Sequence, residues 1–248
     1  MKTKNYFIIP LGKCKWSGRN ENYEEQYTIY EEMVSVQIES VKKNIPNVDE
    51  IIIVSGEYDT TEELFYEVFK QAYKLWNTEK CNILCSGADV LFINDVDIFE
   101  QYEDFTLFGP NAGDRVIDDV PISLDSLRYF PHTMEKHIFD MGMKLWDDEI
   151  EKYKNVENTI SWEFEMYVFN KMFYTQRNSK YLNADVTFDH LNKSKKYHRL
   201  MVSGFKENIW HPCDISDASV LIFSATRGHY HQLNLMNTYH YQYNKKND

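Results

Sequence analysis

The residues best placed to do chemistry lie between Cys81 and Phe99, which reads CNILCSGADVLFINDVDIF. The apolar run Ile83-Leu84-Cys85 turns small and polar at Ser86-Gly87-Ala88 and presents one acid, Asp89. The chain returns to apolar at Val90-Leu91-Phe92 and closes in an acidic turn, Asn94-Asp95-Val96-Asp97. A short apolar run bounded by small and polar residues fits a buried strand of an α/β sheet. Ligands of such sheets gather at the carboxyl ends of the strands. A carboxylate just past a strand end is placed to hold a divalent cation, which takes oxygen ligands and bridges a diphosphate. The plainer alternative is a strand followed by an incidental acidic loop.

Two later stretches carry similar chemistry. Thr159 to Tyr174, TISWEFEMYVFNKMFY, reads as a helix with Glu163 and Glu165 in its first turns and Trp162, Met166, Phe169, Met172 and Phe173 facing inward. The two acids are two positions apart, so they point in different directions. By themselves they read as acids that complement the helix dipole. Ser219 to Leu233, SVLIFSATRGHYHQL, holds a strand, Val220 to Phe223, then Arg227, His229 and His231. Arginine can grip a phosphate bidentately; a further histidine of this part of the chain is His211, in Trp210-His211-Pro212.

The elements that must position these residues alternate. Asn5 to Leu11 reads as a first strand ended by Pro10 and Gly12, followed by a polar loop to Asn22. Glu24 to Asn44 has helical periodicity, with acids early and Lys42-Lys43 late, and Pro46 stops it. Asp49 to Ser55 is a second strand, leaving through Glu57 and Asp59. Thr60 or Thr61, with Glu63 following, starts a helix that runs to about Trp76. The Asp89 strand and a short strand at Phe105 to Phe108 follow. Asn111 to Asp125 reads as irregular, His132 to Lys154 as helical, and Lys180 to Asp189 as a further strand. Alternation of this kind predicts an α/β fold with a mixed, mostly parallel sheet flanked by helices.

At 248 residues the chain fits one large α/β domain or two small ones, and is long enough to bury a real core. The net charge of −12 argues against nucleic acid and anionic membranes as partners, because both need a basic footprint. The single basic cluster is Asn192 to Arg199. The four cysteines make no Cys-x-x-Cys and read as free thiols of a reducing compartment. The first apolar run, Tyr6 to Ile9, is too short for a signal core or a membrane span, so a cytoplasmic protein is expected.

In their order along the chain these features resemble the GT-A-fold, nucleotide-sugar-dependent glycosyltransferases. Asp89 matches the second acid of the family's Asp-x-Asp, and Gly87 stands where the first would be. The literal Asp95-Val96-Asp97 matches the family's later Asp turn. The resemblance covers most of the chain and implies a single GT-A-like, Rossmann-like domain over 1–248. Residues 1–110 would form the nucleotide-binding half and 111–248 the acceptor side. It implies Mn²⁺ or Mg²⁺ held by Asp89 with His229 or His231. It implies donor contacts from Pro10, Gly12, Ala88 and Arg227, with Glu57 or Asp59 at the nucleobase. Glu165 or Glu163 would face the acceptor, with Asn170 following, although the intervening Gln of many relatives is missing. The implied reaction moves a sugar from a nucleotide-sugar to an acceptor hydroxyl, a glycan fitting the aromatic content of 15%. The alternatives are a catalytically inactive nucleotide- or glycan-binding module and a sugar-phosphate nucleotidyltransferase. The second of these suits the chain less well, because Leu11-Gly12-Lys13 is a poor Gly-rich loop.

Overall fold

The computed structural model describes residues 2–16, 23–101, 104–108, 111–117, 120–123, 127–153, 162–177, 197–203, 206–210, 219–223 and 228–245. The strands are β1 (Lys4–Trp16), β2 (Glu50–Thr60), β3 (Cys81–Ser86), β4 (Val90–Phe92), β5 (Thr106–Phe108), β6 (Asn111–Ile117), β7 (Val120–Ser123), β8 (Leu127–Phe130), β9 (Tyr197–Ser203), β10 (Lys206–Trp210) and β11 (Val220–Phe223). The helices are α1 (Tyr23–Asn44), α2 (Thr61–Thr78), α3 (Ile98–Gln101), α4 (Lys136–Tyr153), α5 (Trp162–Arg177) and α6 (His229–His240), and a π-helical turn follows at Tyr241–Lys245.

A five-stranded sheet in the order β2-β1-β3-β8-β5 forms the centre. β1 runs parallel to β2 and β3, and β8 runs antiparallel to β3 and β5. The fold is therefore α/β, with a mixed, mostly parallel sheet flanked by helices. β3 is buried along its whole length, so it reads as a continuous apolar run and not as an alternating one. Its side chains still separate by face. Ile83 and Cys85 join Phe69, Phe130, Phe139, Phe169 and Met172 under α2, α4 and α5. Leu84 joins Phe7, Ile9, Val34, Val41, Val90, Phe92 and Val220 under α1.

A second sheet, β10-β9-β11-β4, borders the first. β4 follows β3 after a tight turn and pairs antiparallel with β11, nearly at the chain's end. α6 then lies along α1, where Leu233 and Met236 meet Ile29, Met33, Leu91, Leu221 and Phe223. No helix among the described residues is long and apolar enough to cross a membrane.

Several boundaries differ from the sequence reading. β1 continues past Pro10 and Gly12 to Trp16, in register with β2 as far as Trp16 opposite Thr60. Pro10 is tolerated there because the β3 pairing has already ended at Ile8 opposite Cys85. Glu57 and Asp59 therefore sit on a strand and not in an exit loop. The stretch expected to be irregular after Asn111 contains the antiparallel pair β6–β7. The expected strand at Lys180 to Asp189 lies outside the described residues.

Helix α2 starts where its sequence dictates. Thr60 is the N-cap, its hydroxyl accepting from Glu63 N, while the Glu63 carboxylate takes Asp59 N at 2.8 Å. Helix α1 carries a buried polar stripe within its apolar face. Of this stripe, Asn44 Nδ2 reaches Phe92 O at 2.8 Å and Asn244 Oδ1 at 2.9 Å, so it ties the first helix to β4 and to the last turn of the chain. Replacing Asn44 by Ala removes the donor to the buried Asn244 Oδ1 and one of two amides on Phe92 O, and should lower the unfolding free energy by about 1–3 kcal/mol in urea titration. A change within about 0.5 kcal/mol, usual for surface positions, would show that this tie does not hold the two ends together.

Candidate functional site

The Ser86–Asp89 turn sits at the carboxyl end of β3, between the two sheets, and α1 fixes it from below. Gln37 is fully buried, and its Nε2 donates to Ser86 Oγ at 2.9 Å and Gly87 O at 2.8 Å. Ser86 Oγ also donates to Gly87 O at 2.8 Å. Beyond the turn, Phe92 N donates to Ser40 Oγ at 3.3 Å, and Phe92 O accepts from Asn44 and from Asn244 Nδ2 at 2.9 Å. The segment is held at both ends by side chains of one helix.

Asp89 is half-buried, and its carboxylate folds back over residue 87. A Cβ at Gly87 would stand 2.6 Å from Asp89 Oδ1. The room for the first acid of an Asp-x-Asp motif is thus filled by the second acid itself. The Asp89 carbonyl accepts from Phe223 N at 2.9 Å, and Oδ2 accepts from Gln232 Nε2 at 3.4 Å.

The histidines divide. His229 is buried, with Tyr30 packed at a ring-centroid distance of 5.1 Å. Its Nε2 lies 3.0 Å from Gln26 Nε2, and its Nδ1 lies 3.2 Å from Gln232 Oε1. Where a metal ligand was expected, His229 has both ring nitrogens engaged by amides. To ligate a cation it would have to leave one of them. His231, two positions further along α6, points to another side; it is half-buried, and its Nε2 has no hydrogen-bond partner among the described residues. The residue that shares the His229 face and touches Asp89 is Gln232, three positions on.

Glu165 lies on the opposite side of the central sheet. It is 3% exposed and ion-paired with Arg128 of β8, whose guanidinium stands 4.1 Å from the centre of the Phe169 ring. Glu163 is carried by the same helix, and its side chain is outside the described residues. Arg227 and His211 also fall outside them. Ala88 is buried in the core under α1. Pro10 and Gly12 lie on β1, where the Tyr58 ring packs over Gly12. Glu57 and Asp59 are exposed on β2, and Asp59 pairs with Lys15 at 2.6 Å. Asn170 is buried, its amide turned back to Met166 O at 2.8 Å.

Sequence reasoning missed Gln26, Gln37, Gln232, Arg128 and Glu62. Only Gln232 left a legible signal, its three-residue spacing from His229. Glu62, in the first turn of α2, is 1% exposed, with no cation paired to it among the described residues. Burial pushes its pKa up from 4.5 to about 6. Burial likewise raises the Cys14 and Cys85 thiols to about 12.

Among the described residues no three His, Cys, Asp or Glu side chains meet as a metal-binding group. A Mg²⁺ carried by a nucleotide takes one or two protein carboxylates, with phosphate and water oxygens completing its shell. Asp89 fits as one such ligand. Comparison with protein-family models and with curated proteins finds no match.

Two outcomes follow from the buried charges. Arg128→Leu should cost about 3–5 kcal/mol by removing the cation that faces the buried Glu165, and Arg128→Leu with Glu165→Leu should recover most of it. Urea unfolding of the single and double variants reads this directly. Glu62 binds its proton more tightly folded than unfolded. Stability should therefore fall by about 2 kcal/mol in all as pH rises from well below 4.5 to well above 6, and Glu62→Gln should remove that fall.

Proposed function

We propose that the chain is a GT-A-type glycosyltransferase that moves a sugar from a nucleotide-sugar to an acceptor hydroxyl, most simply on a glycan. The observation that carries this is the return of the last strand and helix to the Asp89 turn. β11 pairs with β4, Phe223 N holds Asp89 O, and α6 brings Gln232 to the Asp89 carboxylate. An acid at the carboxyl end of a parallel sheet, met there by the C-terminal segment, is the arrangement the family resemblance implies. The parallel order of β1, β2 and β3 supports a donor lying across their carboxyl ends.

In this reading Asp89 holds a nucleotide-borne Mn²⁺ or Mg²⁺, which when bound supplies charge neutralisation to the leaving diphosphate. Glu57 or Asp59 meets the nucleobase from β2. Helix α5 supplies the acceptor-side carboxylate. Glu165 is taken up by its buried pair with Arg128 on the other face of the sheet, which leaves Glu163 as the candidate. The buried, free Cys14, Cys81 and Cys85 suit a reducing cytoplasm. A second reading, an inactive nucleotide-binding module, draws on Gly87 at the place of the first acid.

The test is a thermal-shift screen of UDP, GDP, CDP and dTDP with and without Mn²⁺, on the wild type and on Asp89→Ala. Ligand bound to the folded state raises its apparent stability. The expected result is a rise with one nucleotide that needs Mn²⁺ and is lost in Asp89→Ala. A rise indifferent to Mn²⁺ would remove the cation role of Asp89, and no rise with any nucleotide would overturn the reading. Sugar release from the matching nucleotide-sugar then separates an enzyme from an inactive module.

A further inference from the structure

Gln232 is 2% exposed and uses both ends of its amide. Its Nε2 donates to Phe223 O at 2.7 Å and to Asp89 Oδ2 at 3.4 Å. Its Oε1 faces His229 Nδ1 at 3.2 Å. His229 Nε2 in turn faces the Gln26 amide nitrogen at 3.0 Å. These four side chains admit one consistent sense of donation. The Gln26 N–H donates to His229 Nε2, so Nδ1 carries the ring hydrogen. Nδ1–H donates to Gln232 Oε1, and the Gln232 N–H groups are left for Phe223 O and the carboxylate.

We propose that Gln232 is the positioning residue for Asp89, and that His229 acts on the site only by fixing which way the Gln232 amide faces. With the amide reversed, Oε1 would meet the Phe223 carbonyl and the Asp89 carboxylate, both acceptors, and the contact would become repulsive. Nδ1–H excludes that rotamer, because it needs an oxygen opposite it. Phe223 joins the two locks, since its N–H holds the Asp89 backbone while its C=O holds the amide that holds the side chain. The role of the C-terminal helix is thus to deliver an amide to the site and to keep its histidine behind that amide. What Asp89 binds when so held rests on the glycosyltransferase reading; the positioning itself does not.

Carboxyl ¹³C NMR of Asp89 in the free protein tests the positioning without any nucleotide. Gln232→Leu and His229→Leu should each move the Asp89 resonance. His229→Asn, whose amide N–H can replace Nδ1–H, should return it towards the wild-type position. Gln232→Glu has the shape of the native residue and serves if the Leu variant fails to fold. An Asp89 resonance unmoved by the Gln232 variants overturns the proposal, and so does a His229→Asn spectrum that matches His229→Leu. In titrations with Mn²⁺ and the nucleotide that raises wild-type stability, Gln232→Glu and His229→Leu should bind about tenfold more weakly, the worth of one hydrogen bond to a charged group. His229→Asn should recover most of that loss, and equal weakness in His229→Asn and His229→Leu would assign His229 a direct role. A wild type that binds no nucleotide sinks the glycosyltransferase reading alone and leaves the carboxyl resonance to decide this one.

Discussion

Buried amides and hydroxyls on one face of α1 hold the centre of this protein. Gln26, Gln37, Ser40 and Asn44 are all buried, on a helix whose other inward residues are apolar. Each takes a polar group of the segment it underlies or of the chain's C-terminal part. Gln37 takes the Ser86 hydroxyl and the Gly87 carbonyl, Ser40 and Asn44 take the two sides of the Phe92 peptide, and Gln26 takes His229. Away from water an unmet polar group costs more than a met one contributes, so such contacts specify geometry more than they add stability. They fix the Ser86–Phe92 segment from beneath, and the position of Asp89 follows from that segment.

The opposite face of the sheet is built on different physics. There α2, α4 and α5 bury a dense aromatic layer in which Phe69, Phe130, Phe139 and Phe169 meet edge to face, tilted or stacked. The Arg128–Glu165 pair is set into this layer, with the guanidinium against Phe169. A pair so desolvated binds its partners tightly while adding little net stability. The two faces therefore divide the work. The aromatic face supplies burial, and the α1 face supplies the hydrogen bonds that aim the Asp89 turn.

Much of the scaffold was legible in the sequence. The apolar run before Ser86, the charge order of α1 and the Thr60 cap each act over a few residues, so pattern alone reveals them. The late strand Val220–Phe223 was legible for the same reason. The extension of β1 through Pro10 was not, because a proline reads as a stop unless one knows that β3 has already ended. The helix of Glu165 was found, but its partner Arg128 stands on a strand of a different element, and nothing near either residue records the pairing.

By itself the sequence determined the α/β alternation, the strand that runs into the Asp89 turn and the helix that carries Glu163 and Glu165, because hydrophobic period and capping are local properties. Only the tertiary structure decided the partners. It engaged both nitrogens of His229 with amides, put Gln232 on Asp89 and paired Glu165 with Arg128. Those outcomes depend on residues up to 203 positions apart along the chain. Hydrogen-bond geometry at that range is set by how helices and sheets pack, and no spacing within a single stretch encodes it.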